Sequence, residues 1–180
     1  ARPRREEKSL TRDERARICK LAEDRPLPPG WAFDGACYVD GFGRRSRLRP
    51  DATELCLEWL EGVNAGVDAL ERFAMMKSVE TVAREPITNL TEADALLDEC
   101  SFALQFGHRF QRFVEGALGD GETVTSTLLK SLQTLEGLYI KLEDAYRDAG
   151  VREALEGLES DDPLAALQDA FFVLRRGVDR

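Results

Sequence analysis

Two apolar stripes follow one another in the last third of the chain, and they constrain its fold more than any other feature. Large apolar residues recur in the first at alternating steps of four and three: Leu128, Leu132, Leu135, Tyr139, Leu142 and Tyr146. The second stripe has the same spacing: Leu164, Leu167, Phe171, Leu174 and Val178. Such a spacing, about 3.5 residues on average, places every member on one side of an α-helix. The stripes therefore predict two amphipathic helices.

We expect these helices to bury their stripes against each other and against neighbouring helices, as the helices of a bundle do. The stripes persist for only about three heptads, which favours bundle packing over a long isolated coiled coil. The predicted structural core stripe consists of Leu132, Leu135, Tyr139, Leu142, Tyr146, Leu167, Phe171 and Leu174.

Helix signals also occur before the first stripe. Thr11 and Glu14 have the spacing of a capping box, and Thr91 stands where the cap of a later helix is expected. Gly150 is expected to end the helix that carries the first stripe, and Pro163 to open the last one. The helix that carries the first stripe is predicted over residues 124–148, and the helices before it over residues 9–24, 51–83 and 91–118.

Residues 30–49 have a different pattern. Asp34-Gly35 and Asp40-Gly41 separate short runs that contain Phe, Tyr and Val. Asp-Gly pairs between such runs are typical of tight turns, so this region predicts a small β-hairpin or a three-strand meander. A sheet of this size buries little apolar surface, and we expect it to lean on a helix.

The sequence thus predicts an all-α protein, an antiparallel bundle or rod of about four long helices with a small β-hairpin near the N-terminus. The expected organisation is a basic segment with a short helix (1–26), the hairpin module (27–50) and the helical bundle (51–180). Because the chain starts at Ala1 and its last stripe still runs at Val178, we also expect a piece of a longer protein.

Charge is divided unevenly along the chain. Residues 1–50 contain 13 Lys and Arg against 8 Asp and Glu, whereas residues 51–180 contain 12 against 26. An acidic body repels phosphate, so we expect no nucleic-acid partner. The basic first segment fits an anionic membrane surface, an acidic partner, or simple solvation.

Residue types that carry chemistry are sparse. The cysteines, at positions 19, 37, 56 and 100, have no CxxC spacing, and His108 is the sole histidine. No nucleophile–base motif is present, so we expect no enzymatic activity, catalytic residue, metal, cofactor or small-molecule substrate. Free thiols in a reducing compartment are the simplest interpretation of the cysteines.

One short segment resembles a WW domain. The residues that carry the likeness are Leu27-Pro-Pro-Gly-Trp31, Tyr38-Val-Asp40, Arg44-Arg-Ser46 and Arg49-Pro50. The resemblance implies a module that grips proline-rich peptides, with Trp31 and Tyr38 as the tentative peptide-binding residues. Leu48 stands where the second tryptophan of such modules is expected, which leaves a degenerate hairpin as the alternative.

The second half of the chain resembles subunit 4 of the conserved oligomeric Golgi complex. The likeness lies in Leu132–Tyr146, Val151–Ala154 and Asp169–Arg175, with Leu90–Phe113 similar to the preceding helix of that family. It implies a non-enzymatic, rod-like helical subunit of a vesicle-tethering complex, peripheral on the cytoplasmic face of the Golgi membrane. The implied partners are sister subunits, SNARE proteins and their Sec1/Munc18-type regulator, in retrograde transport within the Golgi.

Two hypotheses follow from these patterns. In the first, the chain is a helical scaffold of a Golgi tethering complex. In the second, it is an adaptor that binds proline-rich peptides through residues 27–50, with the helices as a coiled-coil arm.

Overall fold

A computed structural model describes residues 10–84, 86–119, 123–157 and 163–179. It is 75% helical, and its helices pack against each other beside a small antiparallel sheet. This confirms the fold class predicted from the stripes. In chain order the elements are α1 (Arg12–Leu21), β1 (Trp31–Phe33), β2 (Tyr38–Asp40), β3 (Arg45–Ser46), α2 (Ala52–Ala83), α3 (Leu90–Leu118), α4 (Thr123–Gly157) and α5 (Pro163–Asp179).

The chain divides into two compact units. The first contains the chain up to Ala69 together with Gln111–Thr127, and the second contains Leu70–Phe110 and Leu128–Arg180. Helices α2, α3 and α4 each contribute residues to both units.

Helix α1 of the first unit begins at the capping box that the sequence predicts. The Thr11 side chain accepts a hydrogen bond from the Glu14 amide, and the Glu14 carboxylate accepts one from the Thr11 amide at 2.7 Å. Two amide donors of the first turn are thereby satisfied. Ile18 and Cys19, one turn further on, are buried, so this short helix has one face in the core.

The sheet of the first unit is the three-strand meander, with strand order β1-β2-β3. Both strand pairs are antiparallel, and Phe33 stands opposite Tyr38, which stands opposite Ser46. Because directly opposed residues lie on the same side of a sheet, one face carries Trp31, Phe33, Tyr38, Asp40 and Ser46.

In the second unit, α2, α3 and α4 run antiparallel in succession. Arg84, directly after the last residue of α2, forms a 3.3 Å ion pair with Glu92 near the start of α3. Lys77, which lies earlier in α2, pairs with Glu99, which lies later in α3. On the other side of α3, buried residues near its start pack against α4 residues far along that helix. This core cluster contains Ala93, Leu96, Leu97, Cys100, Leu142 and Tyr146.

The first predicted stripe is a core stripe. Leu132 and Leu135 are fully buried, and Leu142 and Tyr146 nearly so. Tyr139 is half-buried and packs against the core cluster. Burying each of the leucines contributes about 1.5–3 kcal/mol relative to leaving it exposed, so α4 is held by the stripe that the sequence shows.

The second predicted stripe is not buried, and this part of the prediction is wrong. Phe171 is 70% exposed and Leu167 is 45% exposed. The side chain of Leu174 lies outside the described residues. The spacing of apolar residues fixes which of them share a helix face, but burial also requires a second surface, and none of the described residues covers these two side chains.

Two predicted helix ends are also corrected. Asn89, not Thr91, caps α3, since Asn89 Oδ1 accepts a hydrogen bond from the Glu92 amide at 3.2 Å. Helix α4 does not end near Gly150 but continues to Gly157. Gly150 is buried and lacks the positive φ of a C-cap glycine, so packing carries the helix through it.

Candidate peptide-binding groove and exposed helix faces

A groove of about 330 Å³ lies in the first unit, between α1 and the meander. Its α1 side presents residues spaced three and four apart, and the rest of the lining comes from the sheet and from the segments before and after it. The residues that line it are Ala16, Cys19, Lys20, Glu23, Arg25, Leu27, Phe33, Tyr38, Arg47, Leu48 and Arg49.

Arg49 lines the groove and links segments on its two sides through hydrogen bonds. Its buried guanidinium donates hydrogen bonds to the carbonyl oxygens of Ala22, Arg25 and Pro26, at 3.1–3.2 Å. It also makes two 3.0 Å bonds to the Asp51 carboxylate. This bidentate pairing raises the pKa of Arg49 and lowers that of Asp51. A planar, five-donor group suits such a junction, and lysine could not satisfy all these acceptors.

Aspartate side chains shape both turns of the meander. Asp34 accepts a 2.7 Å hydrogen bond from the Cys37 amide, which is the largest reason that the pKa of Asp34 is lowered. Asp40 accepts bonds from the amides of Phe42 and Arg44 at 2.9 and 2.8 Å. Burial raises the pKa of Asp40, but hydrogen bonds from Arg44 and Phe42 outweigh it and the net shift is downward. These local bonds fix the turns that the Asp-Gly pairs predicted.

The structure places the two predicted peptide-binding residues differently. Tyr38 lines the groove, whereas Trp31 is half-buried and is not among the lining residues. The ring of Tyr38 packs on Phe33, with the ring centroids 5.0 Å apart. Leu48 lines the groove beside them. The floor is therefore Phe33, Tyr38 and Leu48, which is not a slot between two parallel aromatic rings.

Charges around the groove are partly neutralised. Arg25 forms a bidentate pair with Glu58 at 2.6 and 2.9 Å, and Arg49 is paired with Asp51 as described. Lys20, Arg47 and Glu23 are exposed, and none of them has an ion pair within the described ranges. The groove thus keeps a small excess of positive charge at its rim.

Phe33, Leu48, Lys20 and Arg47 are groove residues that the sequence analysis missed. The position of Phe33 two residues after Trp31 was an available signal, since alternate residues of a strand share a face. No sequence signal joins Lys20 to Arg47, because only the packing of α1 on the meander brings them to one groove.

The second unit exposes large apolar side chains on several helices. On α5 these are Leu164, Leu167, Phe171 and Phe172, and on α2 they are Met75, Met76, Val79 and Val82. On α3 the rings of Phe102 and Phe106 pack against each other at an angle of 46°, with centroids 4.6 Å apart, and Arg109 lies over Phe106. Clusters of this kind mark surfaces for partners more often than isolated apolar residues do.

The histidine and the cysteines are the residues of greatest chemical reactivity in the sequence, and the structure places each of them. His108 of α3 contacts Glu136 of α4 across 3.0 Å, so it joins two helices. The four cysteines, all within the described ranges, form no disulfide. Among the described residues no three His, Cys, Asp or Glu converge as metal ligands, and no described helix has the length and apolar content needed to cross a membrane.

Comparisons with known proteins add no relative: no family model, curated protein or solved structure matches this chain.

Proposed function

We propose that the chain is a non-enzymatic helical scaffold subunit of a Golgi vesicle-tethering complex acting in retrograde transport within the Golgi. The resemblance of Leu132–Tyr146, Val151–Ala154 and Asp169–Arg175 to subunit 4 of the conserved oligomeric Golgi complex supports this. The helical content and the packed helices of the second unit agree with such a role.

The exposed apolar face of α5 is the observation that carries the proposal. Helix α5 contains Asp169–Arg175, and Leu164, Leu167 and Phe171 on its apolar side are 66%, 45% and 70% exposed. An amphipathic helix with an uncovered stripe is one of the recurrent elements by which proteins bind each other. In the proposed mechanism, the buried stripe of α4 keeps the helices rigid, and the α5 face docks on a sister subunit.

The test is co-purification of the 180-residue chain with the sister tethering subunits of the same organism. We expect the wild-type chain to form a stable complex and the Leu167→Ser/Phe171→Ser variant to lose it. Asp169→Ser is the matched control, because Asp169 is exposed on the opposite side of the same helix.

Circular dichroism would show that each variant keeps its helical content. Failure of the wild-type chain to bind any sister subunit would contradict the Golgi assignment. Retention of the complex by the double variant would contradict the role of the α5 face.

A second candidate function is peptide binding by an adaptor, and the groove favours it. Tyr38, the predicted peptide-contacting residue, lies in a cavity whose volume is within the range of ligand sites. A titration with labelled short peptides tests this function. Saturable binding that is weakened in Tyr38→Ala is the expected result, and no saturable binding to any peptide would rule it out.

A further inference from the structure

We propose that the groove between α1 and the meander binds an extended acidic peptide segment, with one apolar side chain on the floor of Phe33, Tyr38 and Leu48 and its carboxylates beside Lys20 and Arg47. This inference rests on the second candidate function and names the ligand that the groove selects.

The floor of the groove suits a single apolar anchor. Phe33 is about half exposed although it packs on Tyr38, and Leu48 is only half-buried. Covering such surface on binding is favourable in proportion to the apolar area removed from water. A proline-rich ligand needs its rings held between two aromatic side chains, whereas Phe33 and Tyr38 pack on each other and Leu48 offers no further ring.

The rim gives the preference for acidic residues. Arg25 and Arg49 are satisfied by Glu58 and Asp51, so they add little attraction for a ligand. Lys20 on the α1 side and Arg47 in the segment after the sheet are exposed and line the same cavity. A peptide carboxylate near either one gains the attraction of an opposite charge, and the single rim carboxylate, Glu23, opposes an acidic ligand less strongly than the two cations favour it.

The walls are held in place before any ligand arrives. The five hydrogen bonds of Arg49 fix the end of α1 against the segment that carries Arg47 and Leu48. A preformed site loses less conformational entropy on binding than a mobile one. The apolar surface of Phe33, Tyr38 and Leu48 also distinguishes a peptide from an anionic membrane, since a lipid headgroup would meet the rim cations without covering these three side chains.

The experiment is fluorescence anisotropy of the 180-residue chain with short labelled peptides. One peptide places a leucine among glutamates, a second places it among lysines, and a third is proline-rich. We expect the acidic peptide to bind at least about tenfold more tightly than the other two, with weaker binding at higher salt.

A charge reversal tests the residues. In Lys20→Glu/Arg47→Glu, binding of the acidic peptide should fall by about tenfold or more, and the lysine-containing peptide should become the better ligand. The control Arg72→Glu/Arg152→Glu makes the same change in net charge at exposed positions outside the groove, and it should keep the wild-type preference.

Each other outcome has a distinct meaning. Equal binding of all three peptides, or tightest binding of the proline-rich one, overturns this inference but leaves the peptide adaptor standing. Binding of none overturns both. Rim-dependent binding to phosphatidylserine vesicles, without binding to the acidic peptide, would show that the cations serve a membrane and would overturn the proposal.

Discussion

A methyl group added to Gly107 of α3 would lie 2.4 Å from Leu132 Cδ2 of α4 and 3.5 Å from Leu70 Cδ2. Leu132 is fully buried, so its side chain has little room to move aside. The φ angle of Gly107 is not positive, and the residue is therefore required by the close approach of the helices, not by the backbone conformation.

Replacing Gly107 by alanine should consequently destabilise the protein. Although alanine is the better helix former, we expect overpacking to dominate and to lower the free energy of unfolding by about 1–3 kcal/mol. Gly137→Ala is the control, because a Cβ at Gly137 of α4 meets nothing within 4 Å. That variant should gain about 0.5–1 kcal/mol. Urea unfolding measures both, and equal gains would disprove the close contact.

The cap of α3 allows a comparison of two neighbouring residues. Asn89→Ala removes the acceptor of the Glu92 amide, and we expect a loss of about 1 kcal/mol in unfolding free energy. Thr91 is exposed and lies within the helix, so Thr91→Ala should change stability by less than about 0.5 kcal/mol. Thermal unfolding of the two variants would show which residue caps α3. A larger loss of stability in Thr91→Ala than in Asn89→Ala would mean that Thr91 is the cap.

The sequence predicted most of the fold because its signals were local. Thr11 with Glu14 set the start of α1, and the Asp-Gly pairs set the turns of the meander. Two ends were missed because rival signals looked alike: Asn89 and Thr91 are both good caps, and Gly150 resembles a helix stop. A hydrogen bond from the Glu92 amide to Asn89 decides the start of α3, and packing around the buried Gly150 carries α4 past its predicted end. Neither interaction can be read from the order of residues in the sequence.

Acid should weaken the junction around Arg49. The pKa of Asp51 is lower in the folded chain than its ordinary value near 4, because it accepts two bonds from Arg49. A lowered folded pKa means that the stabilisation is complete above the unfolded pKa and is lost as pH falls through the folded one.

Asp51→Asn should therefore cost about 2 kcal/mol near neutral pH. Its unfolding free energy should also fall less steeply than that of the wild type as pH drops below about 5. Denaturant titrations at several pH values in this range give, for each protein, the slope of the unfolding free energy against pH. Identical slopes for variant and wild type would show that Asp51 has an ordinary pKa in the folded chain.

The four thiols should react unequally. Cys19, Cys56 and Cys100 are buried, and burial raises the pKa of Cys19 and Cys100. Cys37 is half-buried in the meander and should react first with Ellman's reagent, since only the thiolate reacts. Cys37→Ser should remove the fast phase and leave the slow ones. A fast phase that persists in Cys37→Ser would mean that one of the buried cysteines opens readily to solvent.

The candidate sites were less predictable than the fold because they depend on contacts between distant segments. Tyr38 was found through a short resemblance, but its groove partner Lys20 lies on another element. Likewise Leu135 and Phe171 occupy the same kind of stripe, and periodicity cannot say that only Leu135 meets a covering helix. A stripe shows that one face of a helix is apolar. Which surface covers that face depends on how the other helices, or a partner protein, pack against it.

That contrast between a core stripe and a docking stripe is central to the account, and one pair of variants tests it directly. The measurement is the free energy of unfolding of Leu135→Ala and Phe171→Ala in the 180-residue chain by urea titration. We predict a loss of about 2–5 kcal/mol for Leu135→Ala, which leaves a cavity, and less than about 0.5 kcal/mol for the exposed Phe171→Ala. Comparable losses for the two variants would contradict the account, because they would mean that the α5 face is already buried within the chain.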